Sequence, residues 1–351
     1  MRAYFFLVIC WFYYDVSYCQ WSFQKVIETE GINLRHLDMV CEQNVCYVLS
    51  TAQKEVLGDI LRGIIITKIN ELGKIEWSKE YVAECYLPTV YQTLLTKDGN
   101  LVVTFSTVEY YSSCTPLIDM ETFGAYMLNI DSDGELIWDI RPNTVGISSI
   151  ETIEAPNGNL VLIDEGTVHH MNIDGELIWK KDIITSGDFQ LLKVLSTTDN
   201  HLFLAGTRRR GPEFPDNIYN GVLIKMDESG EVIWSKVFQD FRPWELNLFP
   251  NGDILFTAHQ LRTIKEARYM RLSPDGQVHW VKHLPLKNKF LREHILTLED
   301  GSILDFINTG TDTRLLKLNS QGQVLWGRIY SANDNITEWS SQRGRLLNQS
   351  S

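Results

Sequence analysis

Five polar residues stand at one position of a repeated segment whose other residues are largely apolar. Each lies seven residues before the second residue of a short turn, and they are Gln92, Glu151, Lys193, Glu245 and His294. In the first such segment the same count falls on Leu37, beside His36. Two carboxylates, an ammonium and an imidazole at one height predict a site for a small polar ligand such as a sugar. The alternative is that these side chains bond to one another and to water, and bind nothing.

A second group of candidate binding residues lies in two irregular segments. It consists of Tyr110, Tyr111, Arg208, Arg209 and Arg210. Aromatic side chains together with arginine are typical of binding surfaces. The alternative is that the three arginines only solvate a loop on an acidic protein.

Other motifs are explained better by structure than by chemistry. Asp131-Ser-Asp133-Gly-Glu135 suggests a Ca²⁺ loop, but it lacks the twelve-residue spacing and the terminal bidentate Glu, so it is predicted to be a β-turn. His169 and His170 are neighbours on a predicted strand and point to opposite faces, so they are not expected to chelate one metal. Phosphate-loop, HExxH and Gly-x-Ser-x-Gly motifs are not found in the sequence. No catalytic residue, metal or cofactor is therefore assigned.

The segments that position these residues belong to a repeat. Gly-x-x-x-Trp occurs six times, at Gly73–Trp77, Gly134–Trp138, Gly175–Trp179, Gly230–Trp234, Gly276–Trp280 and Gly322–Trp326. Each copy stands at the end of a longer pattern. An alternating apolar run is followed by a turn rich in Asp, Ser, Asn and Gly and then by a second alternating run, and this pattern predicts a β-hairpin. A second hairpin with an Asp-Gly or Asn-Gly type of turn lies between most copies.

Two hairpins per repeat predict four antiparallel strands, a to d, and repeats of this length are typical of β-propeller blades. The chain is therefore expected to be an all-β, six-bladed propeller. Trp21-Ser-Phe-Gln-Lys25 resembles a strand d, which predicts an extra N-terminal edge strand or a partial seventh blade. The recurring Trp is interpreted as scaffold that docks on the outer strand between neighbouring blades.

Chain direction alternates within a blade, so the a–b and c–d turns share one face and the b–c and d–a connections share the other. The first set is short. The second is predicted to be long and irregular, with b–c members at about 52–61, 107–122, 207–218 and 260–265. Binding residues concentrate on variable loops held by a rigid scaffold, so the second face is predicted to bind.

The Gly-x-x-x-Trp repeat resembles that of pyrroloquinoline-quinone-like propellers, and the hairpins also resemble secreted bacterial propellers of unassigned role. The resemblance covers about residues 35–330. Quinoprotein dehydrogenases of this family hold their cofactor with a vicinal Cys-Cys pair and Ca²⁺. Neighbouring cysteines do not occur in this sequence, so the resemblance implies the fold and not the quinone.

The N-terminal residues predict export. An apolar run from Tyr4 to Tyr14 follows Arg2 and is too short to span a bilayer, as in a signal peptide. We expect a signal peptide over 1–19, an edge strand over 20–34, the propeller over 35–330 and a tail over 331–351. Cleavage near Gln20 and acylation of Cys19, as in a lipoprotein, are both open. The net charge of −13 argues against nucleic acid or an anionic membrane as partner.

Cysteine positions predict two disulfides. Cys41 and Cys46 flank a turn at Gln43-Asn44, and Cys85 and Cys114 flank the hairpin that turns at Asp98-Gly99. Pairing within each hairpin leaves Cys19 over in the mature chain, which favours its acylation.

The sequence thus predicts an exported, monomeric, non-catalytic scaffold for a protein or glycan ligand, with a membrane contact only through an N-terminal lipid. The alternative is an enzyme at a channel mouth. Bacterial aryl sulfotransferases are six-bladed propellers with a nucleophilic histidine, for which His294, His259 and the 208–210 loop are the candidates by analogy of fold. A glycan-active enzyme would use Glu151 with Glu245 as its paired carboxylates.

Overall fold

The computed structural model describes most of the repeats. The described residues are 33–42, 45–56, 59–82, 86–109, 124–142, 150–164, 166–183, 189–209, 219–239, 241–259, 266–285, 292–308, 312–331, 336–340 and 346–347. All structural statements below concern these residues.

The first three repeats each form one antiparallel four-stranded sheet. Blade 1 contains β1 (Asn33–Glu42), β2 (Val45–Val56), β3 (Asp59–Asn70) and β4 (Ile75–Val82). Blade 2 contains β5 (Tyr86–Leu95), β6 (Leu101–Glu109), β7 (Gly124–Ile130) and β8 (Leu136–Ile140). Blade 3 contains β9 (Ile150–Glu154), β10 (Leu160–Asp164), β11 (Thr167–Met171) and β12 (Leu177–Asp182).

The last three repeats continue the pattern. Blade 4 contains β13 (Phe189–Ser196), β14 (Leu202–Arg209), β15 (Tyr219–Met226) and β16 (Val232–Phe238). Blade 5 contains β17 (Arg242–Leu248), β18 (Ile254–His259), β19 (Glu266–Leu272) and β20 (Val278–Pro285). Blade 6 contains β21 (Arg292–Thr297), β22 (Ile303–Asn308), β23 (Asp312–Leu318) and β24 (Val324–Ser331), followed by β25 (Ile336–Ser340) and β26 (Leu346–Leu347).

These sheets are the blades of a six-bladed β-propeller, which confirms the predicted fold class. The chain divides into two compact units, the first built mainly from blades 1 to 3 and the second from blades 4 to 6 with short pieces of blade 3. Within each unit the first strands of consecutive blades contact one another: β5 contacts β1 and β9, and β17 contacts β13 and β21.

The short turns are closed by their own hydrogen bonds. In blade 2, Asp131 Oδ1 accepts from the backbone N–H groups of Asp133 at 2.9 Å and of Glu135 at 2.8 Å. Gly134 has φ of 79°, the left-handed conformation that glycine adopts without steric cost. The predicted β-turn at 131–135 is therefore confirmed, since the Asp131 carboxylate accepts hydrogen bonds from the turn itself.

Apolar residues from neighbouring blades pack into shared cores. One cluster joins blades 1 and 2 and contains Tyr47, Leu49, Ile64, Ile66, Leu101, Val103, Phe105, Tyr126, Leu128 and Ile130. Similar clusters join blades 2 and 3, blades 4 and 5, and blades 5 and 6. Burial of one such side chain contributes about 1.5–3 kcal/mol, so a blade is stabilised chiefly by its neighbour.

The repeated Trp and Gly interlock adjacent blades. Trp77 Nε1 donates to the carbonyl of Ser132 at 3.1 Å, and a Cβ placed on Gly134 would lie 3.1 Å from the Trp77 ring. The same Trp-to-Gly packing joins blades 2 and 3, blades 4 and 5, and blades 5 and 6. The predicted scaffold role of the repeat is confirmed for these blades, because each Gly gives room to the Trp of the preceding blade.

One connection between strands differs from the prediction. The b–c connection of blade 1, predicted over 52–61, is wrong: β2 and β3 pair from Val45↔Asn70 to Val56↔Asp59 and leave only residues 57–58 between them. Blade 6 carries two further strands, β25 and β26, after β24. The predicted N-terminal edge strand over 20–34 stays a prediction, because residues 20–32 lie outside the described part.

Candidate functional site

The five polar residues of the repeat do occupy one register position. Counted from the hairpin end of each first strand, the pairs are Gln92↔Thr104, Glu151↔Ile163, Lys193↔Ala205, Glu245↔Thr257 and His294↔Phe306. In blades 2, 4 and 5 a β-bulge immediately precedes the polar residue. A bulge turns the following side chain out of the normal alternation, which explains how a polar residue escapes the apolar layer there.

Blade 1 presents Asp38 at this position rather than Leu37, so the count from the sequence was wrong for this blade. The register shifts between His36 and Asp38, and Asp38 pairs with Leu49. The two-residue turn at 43–44 is shorter than the corresponding turns of other blades, which displaced the count by one residue. A rule that allowed for turn length would have found the carboxylate.

Asp38 ties blade 1 to blade 2. Its Oδ2 accepts from the backbone N–H of Thr93 at 2.9 Å and from the Thr93 hydroxyl at 2.7 Å. Its Oδ1 accepts from the N–H of Met39 at 2.9 Å. The first strand is the edge of its sheet and exposes backbone donors, so a carboxylate from the preceding blade satisfies one of them.

Gln92 makes the equivalent contact between blades 2 and 3. Its Oε1 accepts from the backbone N–H of Thr152 at 2.6 Å. Beside it the hydroxyls of Thr104 and Thr152, both buried, are 2.8 Å apart. In the first unit, the polar residues at this position therefore hydrogen-bond the first strand of one blade to the first strand of the next.

In the second unit the polar position holds an ion pair. Lys193 Nζ lies 3.3 Å from Glu245 Oε2, on the first strands of blades 4 and 5. The two side chains retain 25% and 17% of their exposure, so water or a ligand reaches them. A half-buried pair of opposite charges is able to hydrogen-bond the hydroxyl groups of a polar ligand from both sides.

The other predicted ring residues lie on separate blades. Glu151 is half-buried on β9 and belongs to the first unit, whereas Glu245 belongs to the second. His294 is exposed on β21. Of the five, the described hydrogen bonds and ion pairs join Lys193 directly with Glu245.

The loop candidates are described only in part. Arg208 is exposed near the end of β14, where it pairs with Asn220 on β15. Arg209 is described by its backbone alone, at the end of the same strand. Tyr110, Tyr111 and Arg210 lie outside the described residues, and so do Cys19, Cys85 and Cys114.

One of the two predicted disulfides is confirmed. Cys41 and Cys46 are bonded, with their Cα atoms 4.1 Å apart, across the hairpin that turns at 43–44. A disulfide is typical of an oxidising compartment. The observation is therefore in line with export of the chain.

Two contacts of buried aspartates were not predicted. Asp253 Oδ2 accepts from Arg271 Nε at 2.7 Å, while Arg271 also donates to the carbonyl of Ser320 at 2.8 Å and lies over the Phe249 ring. His169 Nε2 lies 3.3 Å from Asp164 Oδ2, both almost fully buried. Sequence alone offered no periodic signal for these pairs, because each occurs in a single blade.

His169 and His170 lie in different surroundings, as their alternation on β11 predicts. His169 faces Asp164, whereas the His170 ring meets the edge of Trp179 at a centroid distance of 5.1 Å. Among the described residues no group of three or more His, Cys, Asp or Glu is placed to hold a metal ion. Nor does that part of the chain contain a helix long and apolar enough to cross a membrane.

Solved structures share the fold at low sequence identity. Hydrazine synthase of Kuenenia stuttgartiensis is 11% identical over 86% of this chain and 93% of that chain, with a TM-score of 0.50. Prolyl oligopeptidase B from Galerina marginata is 10% identical, with a TM-score of 0.51, over 87% of this chain but 46% of that chain. A protein of unknown function from Bacteroides caccae is 16% identical over 75% and 89%, with a TM-score of 0.43.

At these identities the similarity shows the fold alone. No protein-family model matches the chain, and no curated protein is significantly similar to it. The resemblance to pyrroloquinoline-quinone-like propellers therefore remains a similarity of the repeat, and function has to be argued from the residues of this chain.

Proposed function

We propose that this protein is an exported, non-catalytic binding scaffold. The observation that carries the proposal is a difference between two sets of connections. The described a–b and c–d turns are short and spend their polar groups on themselves, as Asp227 does in accepting from Ser229 and Glu231 at 2.9 Å. The b–c and d–a connections range in length from residues 57–58 to residues 110–123. Much wider variation in one set of connections is typical of a binding face on a rigid scaffold.

The charge state of the short turns supports this division. Hydrogen bonds from the Ser229 hydroxyl and the Glu231 backbone lower the pKa of Asp227, and equivalent bonds from Ser302 lower the pKa of Asp300. These carboxylates are ionised at neutral pH and are already hydrogen-bonded within their own turns. They are therefore poorly suited to move a proton or to rearrange around a ligand.

The ligand we propose is a polar one, a glycan or a polar protein segment. Tyr110, Tyr111 and the Arg208–Arg210 segment would contact it from the variable connections. Glu245 and Lys193, with Glu151 and His294 at the same register position, would supply hydrogen bonds from the first strands. Aromatic faces with charged donors and acceptors are the groups that bind sugars and polar peptides.

The setting of the proposal is extracellular or periplasmic. The Cys41–Cys46 disulfide and the apolar N-terminal run favour export, with Cys19 as the site of a lipid anchor if the chain is a lipoprotein. We further propose that the chain acts as a monomer. A net charge of −13 opposes close approach of two copies.

The experiment uses a defined set of neutral and uronate-containing oligosaccharides and isothermal titration calorimetry. The full mature chain is compared with a variant in which residues 110–123 are replaced by a short Gly-Ser turn, and with a Glu151→Gln, Glu245→Gln double variant. We expect one class of oligosaccharide to bind the wild type. We expect both variants to bind it at least tenfold more weakly, with little change in the thermal midpoint.

Glu80→Gln is the matched control, because Glu80 is an exposed carboxylate on the fourth strand of blade 1. Its affinity for the oligosaccharide is expected to equal that of the wild type. Binding that survives both loop replacement and the double Gln variant would refute the proposed face. Turnover of a bound oligosaccharide would refute the non-catalytic assignment.

A further inference from the structure

The fourth strand of each blade is a sheet edge, and one of these edges is covered. β25 pairs antiparallel with β24, from Trp326↔Ser340 to Tyr330↔Ile336. In the described part of the chain the other five fourth strands, β4, β8, β12, β16 and β20, are the last strands of their sheets. Their outward backbone groups are thus open to pairing with another strand.

Exposed edges in proteins are usually protected by charged side chains. On the fourth strands of blades 1, 2, 4 and 5, the repeated Trp and every second residue after it pack on the next blade. The residues one before, one after and three after the Trp point to the other side, and we call these the outward positions. At these positions most edges carry exposed charged or titratable residues: Glu76 and Glu80 on β4, Asp139 and Arg141 at β8, Lys180 and Asp182 on β12, and His279 and His283 on β20.

Two edges lack this protection, and they match one another residue by residue. β16 reads VIWSKVF and β24 begins VLWGRIY. The three outward positions hold Ile233, Ser235 and Val237 on β16, and Leu325, Gly327 and Ile329 on β24. On β24 the added strand pairs with Trp326–Tyr330 and Gly327 is buried, while Leu325, just before the paired stretch, is 41% exposed. On β16 the row is open, with Ile233 49% and Val237 54% exposed.

We propose that β16 is the docking edge for an extended segment of a protein partner, which adds to blade 4 as an antiparallel strand. The pairing of β25 with β24 shows that a strand whose outward row is uncharged accepts such a strand, even with Arg328 between the residues of that row, as Lys236 lies on β16. Main-chain hydrogen bonds supply the affinity of an added strand, and alternate side chains supply its specificity. The partner segment is therefore expected to be rich in β-branched and aromatic residues, as Ile336-Thr-Glu-Trp-Ser340 is.

A foreign segment fits this edge better than a second copy of the chain. Two copies that paired β16 with β16 would bring together two bodies of net charge −13, which repel each other at low salt. A short segment brings little charge of its own. The docking edge is also separate from the variable connections, so its failure and the failure of the proposed binding face are distinguishable.

The test uses the natural occupant of the equivalent edge as its probe. A fluorescein-labelled peptide of residues 334–342 is titrated into the full mature chain and followed by fluorescence anisotropy. We expect saturable binding of one peptide per chain, weakened at least tenfold by Val237→Glu. Val281→Glu, at the corresponding row of the titratable β20 edge, is the matched control and should leave the affinity unchanged. The variant with residues 110–123 shortened should bind the peptide as the wild type does.

Ile233→Lys is a second variant for the case in which Val237→Glu fails to fold, and it should cause the same loss. Absence of saturable binding to the folded wild type would overturn the proposal. So would binding that Ile329→Glu abolishes and Val237→Glu leaves intact, since the peptide would then exchange with β25 on β24. A wild-type dimer in sedimentation that Val237→Glu dissociates would also overturn it, because the occupant would be a second copy.

Discussion

Trp280 of blade 5 packs directly over Gly322 of blade 6. A Cβ added to Gly322 would lie 2.9 Å from the indole ring, and the indole N–H donates to the carbonyl of Ser320 at 3.1 Å. The Gly and the Trp of one sequence motif thus contact different neighbours, because the Gly receives the Trp of the preceding blade. This relationship explains why the two residues recur together along the chain.

Gly322→Ala is expected to destabilise the protein more than Gly301→Ala. Both glycines have positive φ, 70° and 73°, so both substitutions carry backbone strain of about 1 kcal/mol. Only Gly322 also faces a ring and a side chain closer than 3.0 Å, whereas the nearest atom to Gly301 is at 3.6 Å. We expect an additional loss of about 1–3 kcal/mol for Gly322→Ala in urea unfolding. Equal losses would contradict the interlocking of Trp and Gly.

The indole hydrogen bond is tested by a pair of Trp-to-Phe substitutions. Trp280 Nε1 is bonded to Ser320, whereas Trp234 Nε1 is buried and has no hydrogen-bond partner among the described residues. Trp280→Phe loses a hydrogen bond to the Ser320 carbonyl, which keeps its bond from Arg271, while Trp234→Phe removes an unsatisfied donor. We expect Trp280→Phe to cost about 1 kcal/mol more than Trp234→Phe in the free energy of unfolding. The reverse order would show that ring volume alone decides.

Asp38→Ala tests the contact between the first strands of blades 1 and 2. The change leaves the N–H and the hydroxyl of Thr93 without their acceptor, which costs about 1–3 kcal/mol. Asp38→Asn retains one carbonyl oxygen and should cost less. Asp139→Ala, on the exposed β8, is the control and should change stability by less than about 0.5 kcal/mol. A loss for Asp38→Ala as small as that of the control would show that the contact contributes nothing.

Tyr81 is expected to make the free energy of unfolding fall at alkaline pH. Its hydroxyl donates to the carbonyl of Gly134 at 2.9 Å, and burial, with the nearby charges of Glu135 and Asp131, raises its pKa. A tyrosine in the unfolded chain ionises near pH 10, while the folded protein retains the proton. The contribution is therefore complete below about pH 10 and is lost as pH rises through the folded pKa. Between pH 9 and 11 the wild type should lose stability more steeply than Tyr81→Phe, and equal slopes would contradict this.

The repeat predicted the fold well because every copy carries the same physical signals. Gly at positive φ, alternation of apolar residues and the Trp after each turn are enforced in each blade, and so the sequence shows them six times. Asp38 was missed because it depends on a bulge and on one short turn. The ion pair of Arg271 with Asp253 was missed because it serves a single blade, so no periodicity marks it.

Binding residues are harder to predict for the same reason. Lys193 and Glu245 could be recognised as polar members of one register position, yet their contact depends on how two blades approach each other. The b–c length in blade 1 was overestimated because the polar Lys54 and Glu55 read as loop residues, although they belong to β2. Features set by tertiary packing are not written in the local pattern of residues.

The measurement that tests the proposed function most directly asks which face binds. A single Cys is introduced either at Asp98, in an exposed a–b turn, or at Arg208, exposed beside the connection 210–218, and is coupled to a bulky polyethylene glycol maleimide. Affinity for the oligosaccharide that binds the wild type is then measured by calorimetry. We predict that the polymer at position 208 weakens binding at least tenfold and that the polymer at position 98 changes it less than twofold. Loss of binding from position 98, with binding retained from position 208, would contradict the account.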